Sequence, residues 1–231
     1  MTRSGGSLVS PETRTRVKRL GEPVALFFGR LGLTPNGLTL IGFGVTVVGA
    51  ILAGLQVWLI AGIVVFLGGV FDMFDGTLAR ATGKVSPLGA FMDSVFDRWG
   101  EAVVYLGIVV GADAAGVSGV TILAAAAMGA AFMVSYTRAK SEGLGFTTGT
   151  GMAAVGVMPR EIRLVVLSLG LILAGVLGVA APCGNLFCVD AQAQGANVLI
   201  LALGIIAIGA TITVIQRVLH VRNQAATSGE K

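Results

Sequence analysis

The 231 residues are 55% hydrophobic and only 12% charged, with a mean hydropathy of +0.88, whereas soluble domains carry about 25% charged residues. Too few polar groups remain to cover a water-facing surface, which excludes an ordinary soluble protein, and the 35 glycines show no Gly-X-Y period, which excludes collagen. The net charge of +4 does not signal nucleic-acid binding, because the basic residues cluster between apolar runs and only 6% of residues are aromatic.

Residues 1–10 read as a disordered tail, and residues 1–20 lack the apolar core and small-residue cleavage site of a secretory leader, so no cleaved leader is expected. Residues 11–33 combine Arg14, Arg16, Lys18, Arg19 and Arg30 with Leu20, Val24, Leu26, Phe27 and Phe28. This pattern suits an amphipathic helix on the membrane surface; plain positive-inside charge is the other reading.

Six apolar, glycine-punctuated runs follow, at about 36–55, 58–79, 87–112, 119–139, 162–181 and 196–217, each near the roughly 20 residues a membrane helix needs. The expected fold is therefore all-α and polytopic. A six-helix transmembrane domain spans 34–220, preceded by the surface helix and followed by a cytoplasmic tail at 221–231.

All 16 Lys and Arg fall in residues 1–35, around the second and fourth connections, or at the C-terminal end. The other connections, near 56–57, 113–118 and 182–195, have none. Cytoplasmic loops concentrate Lys and Arg, so both termini are expected in the cytoplasm and the protein in the plasma membrane. Cys183 and Cys188 then lie on the opposite side, as a disulfide or as two free thiols.

The chemistry concentrates where spans 2 and 3 meet. Asp72 and Asp75 are i,i+3 and share one helix face; Asp93 and Asp97 are i,i+4 and share another. Each acid near the centre of a membrane helix costs about 2.5–3.5 kcal/mol, so an uncompensated set of four is untenable. Pairing with Arg80 and Arg98 alone leaves two acids over. An ion pathway calls for acids near the midplane on broken helices, but these sit at the cytoplasmic edge.

Small residues at Gly76, Ala79 and Gly89 let the two helices approach. Carboxylates without His or Cys suit Mg²⁺ or Mn²⁺, and a pair of such ions is a common device for phosphoryl displacement. Arg80 adds a phosphate-binding group.

The run Asp72-x2-Asp75-Gly76-x2-Ala79-Arg80-x8-Gly89-x3-Asp93-x3-Asp97 resembles the signature of the CDP-alcohol phosphotransferase family at every defined position. The resemblance implies a homodimeric membrane enzyme that displaces CMP from a CDP-linked donor such as CDP-diacylglycerol. Asp72, Asp75, Asp93 and Asp97 would hold two metal ions, and Asp97 would also be the general base on the acceptor hydroxyl. Thr34, Pro35, Asn36, Gly37, Asp72, Gly76, Ala79, Arg80 and Ser86 would bind the CDP-lipid. Glu101, one turn beyond Asp97, is left out of the site, with a role in supporting its residues or in the structure alone.

For the acceptor, Arg138, Lys140, Arg160, Arg163 and Arg217 all lie near the cytoplasmic ends of spans 4 to 6, where they suit a second phosphate. The Ser135–Lys140, Arg160–Arg163 and Gln216–Arg217 segments resemble the phosphatidylinositol-phosphate synthase branch of that family. This implies a phosphorylated polyol, first L-myo-inositol-1-phosphate. The Arg160-Glu161-Ile162 run also resembles phosphatidylglycerophosphate synthases, which makes glycerol-3-phosphate the alternative. An ion-coupled transporter is the alternative of another class.

Overall fold

The structure, a computed structural model, describes residues 23–146, 152, 155–178 and 194–228. Within them the chain forms seven helices and no strand: α1 (23–30), α2 (Pro35–Gly54), α3 (Trp58–Ala81), α4 (Pro87–Ala114), α5 (Ser118–Gly143), α6 (Arg160–Leu177) and α7 (Gln194–Ser228). The expected 1–10 tail, most of the 11–33 surface segment, and Cys183 and Cys188 lie outside the described residues.

Local chemistry explains the boundaries that matter for the site. Thr34 caps α2, its Oγ1 accepting the Gly37 N–H at 3.1 Å, and Pro35 opens the first turn. Ser86 caps α4 in the same way, accepting the Gly89 N–H at 3.0 Å ahead of Pro87. Such caps are worth about 1 kcal/mol each, and proline is suited to the first turn because its missing N–H would be unpaired there. Gly83, at φ +66°, turns the chain after α3, in a conformation that side-chain-bearing residues rarely adopt.

Each of the six long helices packs against two neighbours, in the ring order α2, α3, α6, α7, α5, α4 and back to α2. Glycine lets some of these pairs touch backbone to backbone. A Cβ on Gly107 would run into the Ala50 carbonyl between α4 and α2, and one on Gly62 would meet the Ser168 carbonyl oxygen of α6 at 2.7 Å. Away from the aspartates the ring is filled by an apolar core that includes Trp58, Val65, Tyr105, Ile108, Leu171, Leu203 and Ile206.

Four helices, α2, α3, α5 and α7, are long and apolar enough to cross a membrane. α4 and α6 are not, because charge crowds them: α4 carries Asp93, Asp97, Arg98, Glu101 and Asp113, and the 18 residues of α6 begin with Arg160, Glu161 and Arg163. α7 runs through residue 220 without a break to Ser228, so the segment expected as a tail from 221 continues the last helix. α6 starts two residues before the expected span and its helix ends at Leu177. In α1, Phe28 stacks on Phe71 and Phe74 of α3, with ring centroids 5.7 and 6.1 Å away.

Candidate active site

The last three turns of α3 and the first half of α4 carry the aspartates, with the α2 N-terminus beside them. Asp72, Asp75 and Asp93 each offer a carboxylate oxygen within 4.8 Å of the others. Asp75 is buried and held from two sides. Thr39 on α2 donates its hydroxyl to Asp75 Oδ2 at 2.5 Å, and the Gly76 N–H donates to Oδ1.

Asp97 stands beside this group. Its Oδ1 lies 2.8 Å from Arg160 Nη1, yet it is buried and accepts no hydrogen bond. The same Arg160 nitrogen donates to Asp72 Oδ2. The set therefore holds hard oxygen donors, an oxygen atom lacking a hydrogen-bond donor, and no His or Cys, a combination that fits Mg²⁺ or Mn²⁺.

Beside the carboxylates, the N-termini of α2 and α4 meet at a bare glycine. A Cβ on Gly89 would sit 3.1 Å from Ser86 Oγ and 3.2 Å from Asn36 Oδ1. Thr34, Pro35, Asn36, Gly37 and Ser86 thus come together as two capped helix starts, whose free N–H groups and dipoles favour an anion. Gly76 is similarly bare under the Arg80 guanidinium, whose Nη1 is 3.4 Å from the position of a Cβ. Arg80 is exposed and donates to Thr77 Oγ1 at 3.3 Å. Ala79 lies between Gly76 and Arg80 in the last turns of α3.

The five cations expected around an acceptor divide into groups. Arg160, at the first turn of α6, faces the carboxylates. Arg163, 1% exposed, is forked onto Glu101 and also donates to the Met158 carbonyl. Arg217 is buried on α7 and donates to two neutral carbonyls, Val155 O at 3.1 Å and Val134 O. Arg138 lies one turn beyond Val134 on α5 and pairs with Glu142 at 2.9 Å on an exposed surface. Lys140 is exposed near the end of α5.

Three residues outside the motif prove to be integral to the arrangement. Thr39 sits one turn past the α2 cap and orients Asp75. Glu101 takes the Arg163 fork, and Thr213 accepts the Met158 N–H at 2.9 Å. A hydroxyl one turn into an apolar span was a usable signal for Thr39; Thr213 has no comparable mark in the sequence.

Comparison with known proteins agrees with this geometry. The chain is 36% identical over 162 residues to the archaetidylinositol phosphate synthase of Pyrococcus horikoshii, covering 70% of this chain and 79% of that one. It is 32% identical over 228 residues to the phosphatidylinositol phosphate synthase of Streptomyces avermitilis, covering 96% and 86%. In three dimensions it is similar to Mycobacterium tuberculosis phosphatidylinositol phosphate synthase with CDP-DAG bound. That match has TM-score 0.71 and 26% identity, and covers 88% of this chain and 94% of that chain. The same synthase in complex with manganese and citrate matches with TM-score 0.70 and 26% identity, covering 87% and 88%. The family model for CDP-alcohol phosphatidyltransferase matches residues 32–188, and the chain belongs to that family.

Proposed function

We propose that this protein is a membrane phospholipid synthase that transfers the phosphatidyl group of CDP-diacylglycerol to L-myo-inositol-1-phosphate and releases CMP. The observation that carries this reading is the joint placement of an aspartate cluster, two helix N-termini meeting at bare Gly89, and a buried arginine, Arg217, whose partners are neutral. The first two features suit a nucleotide pyrophosphate with divalent cations. The third suits an additional anion, on the acceptor. The names of the relatives favour an inositol phosphate as that acceptor.

In the reaction, the acceptor hydroxyl oxygen forms a bond to the lipid-bearing phosphorus as the bond from that phosphorus to the CMP oxygen breaks. Asp97 takes the hydroxyl proton, a step worth roughly 10²–10⁴-fold in rate. Asp72, Asp75 and Asp93, with Asp97, would hold the divalent ions, which supply charge neutralisation on the pyrophosphate. Thr39 keeps Asp75 turned into the cluster. Asn36, Ser86 and Arg80 bind and orient the nucleotide end over Gly76 and Gly89. Arg160, Arg217, Arg138 and Lys140 hold the acceptor phosphate so that its hydroxyl meets Asp97.

We further infer that all six long helices cross the membrane. α6 turns an apolar stripe outward at Val165, Leu169, Leu173 and Val176, and α4 does so at Trp99, Leu106 and Val110, so their charges lie on inner faces or at the ends. The distribution of Lys and Arg supports an orientation with both termini and the aspartates on the cytoplasmic side. The family resemblance supports pairing into a homodimer.

The test is CMP release by the purified protein with CDP-diacylglycerol and Mg²⁺, offering inositol-1-phosphate, glycerol-3-phosphate, inositol and serine separately. Release with inositol-1-phosphate alone is the expected result. Release with glycerol-3-phosphate alone would overturn the acceptor, and silence with all four would overturn the reaction.

A further inference from the structure

Glu101 lies one turn beyond Asp97 on α4 and sends its carboxylate across the bundle to α6, although α4 and α6 are not neighbours in the ring. There Arg163 donates from Nε to Oε1 and from Nη2 to Oε2, both at 2.7 Å. Two parallel bonds fix the plane of the guanidinium as well as its position. Its Nη1 donates to the Met158 carbonyl at 3.1 Å.

What this clamp holds is the segment that leads into α6. Residues 155–159 have no helical structure and are gripped by side chains at both ends. Arg217 donates to Val155 O, Thr213 accepts the Met158 N–H, and Arg163 takes the Met158 carbonyl. Thr213 and Arg217 are i,i+4 on one face of α7, so Arg217 is tied to the same segment. Arg160 follows directly after it.

Electrostatics gives Glu101 a second hold. Arg160 and Arg163 both sit in the first turn of α6, where the helix dipole disfavours cations and the two repel each other. Glu101 supplies the opposing charge from inside the ring. It lines, together with Arg160, Thr46 and Gly100, a cavity of about 30 Å³.

We propose that Glu101 is a positioning residue for acceptor binding. By clamping Arg163 it fixes segment 155–159, and through that segment the placement of Arg160 and Arg217 around the acceptor phosphate. Glu101 acts through these arginines and touches neither substrate. The inference rests on the phosphorylated acceptor proposed above.

The experiment uses the full-length protein in lipid nanodiscs. The KM of CDP-diacylglycerol and that of each phosphorylated acceptor are measured separately, and Mn²⁺ binding is followed by electron paramagnetic resonance. Glu101→Gln keeps the shape and removes the charge. It should raise the acceptor KM by about tenfold or more while donor KM and Mn²⁺ affinity stay within about twofold. Glu101→Asp, which keeps the charge on a shorter stem, should fall between wild type and Glu101→Gln; where Glu101→Gln fails to fold, Glu101→Asp reads the same split.

An unchanged acceptor KM in the variant, or a parallel rise in both KM values, overturns the inference alone. Wild-type turnover with unphosphorylated acceptors only overturns the acceptor reading, and this inference with it.

Discussion

Arg160 Nη1 lies 2.8 Å from Asp97 Oδ1 and also donates to Asp72 Oδ2, so one guanidinium from α6 bridges a carboxylate on α3 and another on α4. It sits among the oxygens that fit divalent cations. A like charge so close to a ligand oxygen opposes cation binding. Arg160→Gln should therefore bind Mn²⁺ more tightly, by about tenfold, while its acceptor KM rises. Titration of Mn²⁺ by electron paramagnetic resonance reads the first effect without turnover. Unchanged or weaker Mn²⁺ binding would show that the guanidinium does not compete.

Asp97→Asn tests whether donor binding can be separated from chemistry. The residue lies outside the close group formed by Asp72, Asp75 and Asp93, and its Oδ1 faces the Arg160 guanidinium at 2.8 Å. Asp97→Asn preserves shape and cannot act as a base. The expected loss of CMP release is roughly 10²–10⁴-fold, with CDP-diacylglycerol still bound in an equilibrium binding assay. Wild-type turnover in this variant would remove Asp97 from the base role.

Thr39 offers a test of how the cluster is oriented. Its hydroxyl reaches Asp75 Oδ2 at 2.5 Å across the α2–α3 contact, and Asp75 is buried. Thr39→Val keeps the volume and removes the donor. Partners that orient metal ligands are worth roughly 10–100-fold in metal affinity, so Mn²⁺ affinity should fall by about that factor while the thermal midpoint changes little. A normal Mn²⁺ affinity would show that the Gly76 N–H alone suffices to orient the carboxylate.

The contrast between Asp75 and Glu101 shows what was legible beforehand. Helical spacing places Asp72 with Asp75, and Asp93 with Asp97, on common faces, and the cost of intramembrane acids demands that the faces meet. Spacing also marks the α2 and α4 starts, through Thr34-Pro35 and Ser86-Pro87. It does not say which helices are neighbours. Thr39 and Asp75 are 36 positions apart and Arg163 and Glu101 are 62 apart, so their pairing depends on the ring order.

Arg163 illustrates the consequence. A cation at the end of an apolar run reads as an acceptor ligand, and only the fold reveals a partly buried carboxylate, Glu101, that takes its fork. The same limit applies to helix ends. The hydropathy of span 6 declines after residue 217, but α7 continues because Arg222 and its neighbours are compatible with helix.

Arg217 carries the most direct test of the acceptor pocket. It is buried, and its partners are the carbonyls of Val134 and Val155, so its charge is not neutralised by a carboxylate in those contacts. A buried guanidinium with neutral partners retains its attraction for an anion. Charge-assisted hydrogen bonds contribute about 1.5–3 kcal/mol, which corresponds to roughly tenfold or more in the acceptor KM when Arg217 becomes Gln. With the donor proposed to bind near Gly76 and Gly89, its KM should stay within about twofold. Steady-state CMP release, with each substrate varied in turn, measures both. An equal rise in the two KM values would remove Arg217 from the acceptor pocket.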